Sequence, residues 1–165
     1  YPFIFPGACS LFGGTKDSHE PPRIALQREL SEELPGVTLP TSLEHKVYYW
    51  SKQLTEVLER IDIAFKGNLY SFLGFDPNEL VPQSALGKLR GKKLTYKEFI
   101  LRKDEDHFYI CKLSTLNLEN VKIQEGVAYS WVPHYLARSL VMVPTDKLAL
   151  LDDIAMRLEL GELKI

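Results

Sequence analysis

Two proline-marked boundaries, Pro21-Pro22 and Pro35-Gly36, enclose a run whose only comfortable conformation is helical. Proline is tolerated in the first turn of a helix, where its missing N–H has no partner to lose, and it disfavours helix at the residue before it. Between the boundaries, Ala25, Leu26, Arg28, Glu29, Leu30, Glu32, Glu33 and Leu34 are acceptable or good helix formers. Leu26, Leu30 and Leu34 recur at every fourth position and make one apolar stripe. Gly36 suits a C-terminal cap. On this helix Glu29, Glu32 and Glu33 lie three and four positions apart, so their carboxylates share a face beside the stripe.

Like charges this close repel and destabilise a helix. A divalent cation would remove that penalty, and hard oxygen donors suit Mg²⁺ or Mn²⁺. The commoner fate of a Glu-rich helix is a solvated face, here with Arg23 and Arg28 to relieve the charge. On the helix alone both readings stand.

The wider stretch narrows the choice. Gly14 is followed by five residues (TKDSH), Glu20, seven residues (PPRIALQ), then Arg28-Glu29-Leu30-Ser31-Glu32-Glu33. This resembles the signature box of the Nudix hydrolases. That box closes with a glycine two residues after its last glutamate. Here Pro35 stands there, and Gly36-Val37 follow one place late. The resemblance implies a loop–helix–loop that binds Mg²⁺ or Mn²⁺ and hydrolysis of a diphosphate linked to another moiety, often a nucleoside diphosphate derivative. It implies Glu29 and Glu33 as direct metal ligands and Glu32 as a further or water-mediated one. It implies Arg28 as the group that orients a glutamate, Glu20 as a support in the loop, and Gly14 as a position where the loop turns closely. Many members of the family carry a further glutamate in a late loop, and Glu125 in Gln124-Glu125-Gly126 resembles it, as metal ligand or as base. A plain turn glutamate is the competing reading of Glu125.

Elsewhere, YPFIF and ACSLF read as short strands broken at Pro6-Gly7, His45–Trp50 as a strand, and Ser51–Phe65 as a helix with Leu54, Val57, Leu58 and Ile61 in phase. The segment from Ser51 to Lys93, rich in Gly, Pro and Asn at its end, reads as an irregular or partly helical insertion. The apolar runs at Phe99–Leu101 and Phe108–Cys111 flank Lys103-Asp104-Glu105-Asp106 and predict a β-hairpin. VAYSWV predicts another strand, and DKLALLDDIAMRLELG a closing amphipathic helix ending at Gly161. Strands and helices without regular βαβ alternation point to an α+β fold. The resemblance makes this a Nudix-type α/β/α sandwich, with a mixed sheet between helices. The reading is a single domain over residues 1–165, with the insertion at about 51–93.

A formal net charge of −2 gives no reason to expect nucleic acid or an anionic membrane as partner. No apolar run nears the roughly 20 residues that span a bilayer, and there is no signal-peptide pattern. Two cysteines, Cys9 and Cys111, make no disulfide framework, so a reducing, cytoplasmic setting is expected. The four histidines, His19, His45, His107 and His134, look scattered. The chain begins at Tyr1, and domains of the family it resembles usually carry another strand before the box, so the expectation is either an incomplete N-terminus or another segment in that strand's place.

Gly87–Lys93 lacks the spacing and the hydroxyl of a phosphate loop and reads as a solvated basic loop. Cys9 and His19 have nothing to orient them as a nucleophile pair. Tyr48, Tyr49, Trp50, Tyr129 and Trp131 have the chemistry to stack on a base, but such residues more often fill a core or an interface. The expected activity is pyrophosphohydrolysis with Mg²⁺ or Mn²⁺, with a small nucleotide-type diphosphate as substrate and a homodimer as a possible state. Two alternatives remain: a catalytically silent Nudix-like nucleotide-binding module, and an isopentenyl-diphosphate-isomerase-like enzyme, for which Cys9 sits in no matching motif.

Overall fold

The computed structural model describes residues 10, 11, 13, 14, 16–67, 69–103, 105–112 and 133–163. It is a mixed α+β chain with a small two-stranded antiparallel sheet among the described residues. The strands expected at YPFIF and VAYSWV lie outside those residues, as does most of ACSLF. The chain divides into two compact units.

One unit holds residues 11–47 and 107–112. Its helix α1 spans Pro22–Glu33, where the proline brackets place it. No side chain caps its N-terminus, where Pro21 and Pro22 stand at the N-cap and first position. Leu34 closes the helix with its N–H on the Leu30 carbonyl, at 2.6 Å. Gly36 then takes φ 97°, a conformation glycine adopts without the Cβ clash other residues meet. That turn brings Val37 back against Leu30 and Leu34, with Leu26 and Leu39 packed beside them. The late glycine thus still turns the chain out of the helix. Strands β1 (Glu44–Tyr48) and β2 (Asp106–Ile110) pair with each other.

The other unit holds residues 48–106 and the C-terminal residues from 133. Helix α2 (Trp50–Ala64) buries Trp50, Leu54, Val57 and Ile61. It packs on α6 (Pro144–Glu159), which presents Leu148, Leu151, Ile154 and Ala155. At about 1.5–3 kcal/mol for each fully buried large apolar side chain, this seam is the main source of the unit's cohesion. Helix α3 (Leu69–Leu73), two 3-10 turns at Gln83–Ala85 and Gly87–Leu89, helix α4 (Tyr96–Leu101) and the short α5 (His134–Ala137) complete it. The segment 51–93 is therefore largely helical up to Leu73 and turn-rich beyond.

Two expectations change. The strand over His45–Trp50 ends at Tyr48, and Trp50 starts α2. Trp50 is wholly buried, stacks on Tyr48 with ring centroids 4.8 Å apart, and donates from Nε1 to Asp106 at 3.3 Å. Packing of that indole outweighs the aromatic preference for strand. The hairpin at Phe99–Cys111 is not formed. Thr95 and Glu98 make a capping box: Thr95 Oγ1 accepts from the Glu98 N–H at 3.1 Å, and the Glu98 carboxylate accepts from the Thr95 N–H at 3.1 Å. That reciprocal cap starts a helix, α4, which buries Ile100. The Phe108 run lies in β2, whose partner is β1 and not the Phe99 run.

Candidate functional site

The site is built on α1 and the loop that precedes it. Arg28, in mid-helix, points back to the loop. Its Nε and Nη2 donate to the two oxygens of Glu20 at 3.0 and 2.9 Å, a two-point grip that matches a planar guanidinium to a carboxylate. Its Nη1 donates to Glu29 at 2.9 Å and lies 3.9 Å from Glu32. The hydrogen bonds from Arg28 hold the Glu20 carboxyl below its usual range, and those to Glu20 and Glu29 raise Arg28 further above its own. Asp17 strengthens the loop by donating its N–H to Glu20 at 3.2 Å.

Gly14 lies directly against Glu29. A Cβ at this position would fall on the Glu29 carboxylate. The loop can pass this close only because residue 14 has no side chain. One residue earlier, the Gly13 N–H donates to the Glu33 carboxyl. Glu33 is half-buried, and burial raises its proton affinity; the Gly13 bond opposes this, while the charges of Glu29 and Glu32 add to it. Glu33 therefore feels the negative charges of Glu29 and Glu32, opposed by the Gly13 N–H. Glu32 extends to solvent, with its side chain 64% exposed.

The structure thus brings Gly14, Glu20, Arg28 and Glu29 into one cluster and sets Glu33 beside it; Glu125 lies outside the described residues. Among the described residues, no group of three or more His, Cys, Asp or Glu side chains stands ready-made around a metal ion. The reason is visible in the partners: Glu29 is turned to Arg28, and Glu32 faces water. The donor set is all carboxylate oxygen, which suits a hard divalent cation, and the mutual repulsion felt at Glu33 is what such a cation relieves.

Gln27 was not singled out from the sequence, and Arg23, expected to relieve the helix charge, is engaged elsewhere. Gln27 holds the helix exit by donating to the Val37 carbonyl at 3.3 Å and accepting from the Leu39 N–H at 3.2 Å. Arg23 donates to the Pro40 carbonyl at 2.5 Å. An uncharged polar residue one turn before Leu30 and two before Leu34, on the border of the apolar stripe, was the available hint for Gln27. The histidines also differ from expectation. His45 and His107 are not scattered but meet across β1 and β2. His19, by contrast, is exposed in the loop.

No family model, curated protein or solved structure matches the chain. The residues of the box therefore carry the functional argument by themselves. No helix among the described residues is long and apolar enough to cross a membrane.

Proposed function

We propose that this chain is a Nudix-type hydrolase that cleaves the diphosphate bond of a nucleoside diphosphate linked to another moiety. In this reading the sheet and helices belong to the α/β/α sandwich of that family, and the protein works in the cytoplasm, as a monomer or a homodimer. The observation that carries the reading is the Arg28 bridge. Residues eight positions apart in the box, Glu20 and Arg28, meet in one ion pair, and the same guanidinium fixes the Glu29 carboxylate. The pair fixes the loop against the helix and the Glu29 carboxylate in one orientation, which is what a metal-binding loop–helix needs.

Mg²⁺ or Mn²⁺ would be held by Glu29, Glu33 and Glu32, with Glu125 as a further donor. When bound, the ion supplies charge neutralisation at the phosphoryl oxygens and a more acidic water. The remaining work falls to the chain. Arg28 orients the Glu29 carboxylate, and its ion pair with Glu20 keeps the guanidinium from swinging away. Gly14 leaves the loop backbone open against Glu29, and the Gly13 N–H positions Glu33. Glu29 or Glu125 takes the proton from the attacking water.

The test is product release from a panel covering ADP-ribose, nucleotide sugars, dinucleoside polyphosphates and oxidised nucleotides, with Mg²⁺ or Mn²⁺, against Glu33→Gln. The reading expects metal-dependent cleavage of at least one member and its collapse in the variant. Binding of a nucleotide with no cleavage would replace it by the silent binding module.

A further inference from the structure

The unit that carries α1 is assembled from two stretches of sequence. Among its described residues, 11–47 and 107–112, the pairing of β1 with β2 joins them. A side-chain hydrogen bond crosses that joint: Nε2 of His45 on β1 and Nδ1 of His107 on β2 face each other at 2.8 Å. One ring gives its N–H and the other its lone pair. Tyr109, two residues after His107 and so on the same face of β2, lies flat on the His45 ring, with centroids 4.3 Å apart and planes within 6°. That stack holds the ring in line. The bond has a definite proton count. With both rings neutral it forms. With one extra proton on an outer nitrogen it becomes charge-assisted and stronger. With two extra protons every ring nitrogen carries an N–H, the lone pair is gone, and two positive rings face each other.

We propose that His45 and His107 form an acid-sensitive latch on this joint, shut while the pair holds at most one charge and open when both rings are charged. His45 is exposed and His107 half-buried, so protons from solvent reach the pair. Strand alternation puts Tyr109, Glu105 just ahead of β2 and Cys111 just after it in register with His107, and Glu44, Lys46 and Asp106 on the other face. Asp106 is engaged by Lys103 and by the Trp50 indole. Arg23 of α1 acts on the Tyr109 phenol and so adds positive charge near the pair. Among the described residues, no carboxylate acts on His45. Partial desolvation and then the charge of His107 lower its proton affinity, so His45 is the ring that charges second. The unfolded chain therefore takes up this proton at a higher pH than the folded chain. The joint loses stability as pH falls below the ordinary histidine value of about 6.5.

The experiment follows the imidazole nitrogens of the untagged, ¹⁵N-labelled full chain by NMR from about pH 8 to about pH 4, with amide hydrogen exchange alongside. The proposal expects a through-bond coupling between Nε2 of His45 and Nδ1 of His107. The coupling persists through the first protonation and vanishes at the second, with the two steps more than about one pH unit apart. At the second step the β1 and β2 amides lose protection at least about tenfold, while those of α2 and α6 keep theirs. His45→Gln and His107→Gln give the second readout. An amide offers either a donor or an acceptor, so the bond remains, but two charges no longer meet across it. Each variant should keep the strand amides protected over the same range, and either one serves if the other melts early. The proposal is overturned if no coupling is seen at neutral pH or if the two rings titrate independently. It is equally overturned if both rings charge without loss of strand protection, or if the glutamine variants lose protection as wild type does.

Discussion

Asp152 on α6 is 1% exposed, yet it is charged and carries three hydrogen bonds. It accepts from the Tyr48 hydroxyl at 2.7 Å, and from Nε and Nη2 of Arg60 at 3.0 and 3.1 Å. Arg60 has a second partner in Glu56, at 2.8 Å, so it does not depend on Asp152 alone. Asp152→Ala therefore removes the acceptor of the buried Tyr48 hydroxyl and leaves Arg60 a surface-side partner. Removing one member of a buried charged pair costs about 3–5 kcal/mol, and retention of Glu56 points to the lower half of that range. Tyr48→Phe removes a single hydrogen bond to a charged group, worth about 1.5–3 kcal/mol. Because the two substitutions share that bond, the double variant should lose less than the sum, with a coupling of about 1–3 kcal/mol. Urea unfolding of the wild type, both single variants and the double variant measures all four corners. At about 2–4 °C per kcal/mol for a chain of this size, Asp152→Ala should also lower Tm by roughly 10 °C. A loss below about 1 kcal/mol for Asp152→Ala, or strict additivity in the cycle, would refute the account of this network.

Three further outcomes follow from the geometry. Gly14→Ala should displace the Glu29 carboxylate, the mobile end of its side chain, so Tm stays within about 2–3 °C of wild type, as for an ordinary surface substitution, while metal-dependent cleavage falls; an early melt with full cleavage would contradict this. Lys147 is wholly buried, with its ammonium on the carbonyls of Ala137, Arg138 and Leu140, and burial lowers its pKa from 10.5 to about 8. Between those values the unfolded chain holds a proton that the folded chain has shed, so stability should rise with pH from about 8 to 10.5; denaturant unfolding across that window should show a smaller rise in Lys147→Met. Thr95→Ala removes the Oγ1 acceptor of the Glu98 N–H while leaving the Thr95 N–H on the Glu98 carboxylate, and should destabilise the protein by about 1 kcal/mol in urea unfolding.

What the sequence displays is local, and what it conceals is long-range. Helices α1, α2 and α6 announce themselves through apolar residues in helical phase, because a buried stripe needs no knowledge of its partner. Helix α4 had an equally local signal in Thr95-x-x-Glu98, but the aromatic and β-branched run behind it reads as strand when the cap is overlooked. Trp50 shows the opposite limit: its place at a helix start depends on Tyr48 and Asp106, which no local pattern reveals. The same holds for His45 and His107, which are 62 residues apart in sequence, and for Tyr48, Arg60 and Asp152. At the candidate site, spacing alone puts Glu29, Glu32 and Glu33 on one helix. It does not show that Arg28 divides itself between Glu20 and Glu29, nor that the Gly13 N–H takes Glu33. Those details depend on how the loop folds back on the helix.

In the function proposed above, α1 and its loop form a divalent-cation site. The most direct measurement is a Mn²⁺ titration of the untagged chain followed by electron paramagnetic resonance, with Glu29→Gln and Glu33→Gln alongside. The account predicts saturable Mn²⁺ binding that Mg²⁺ displaces and that weakens at least tenfold in each variant, about 1.4 kcal/mol or more. No saturable binding, or binding equal in wild type and both variants, would show that these glutamates are a solvated helix face and nothing more.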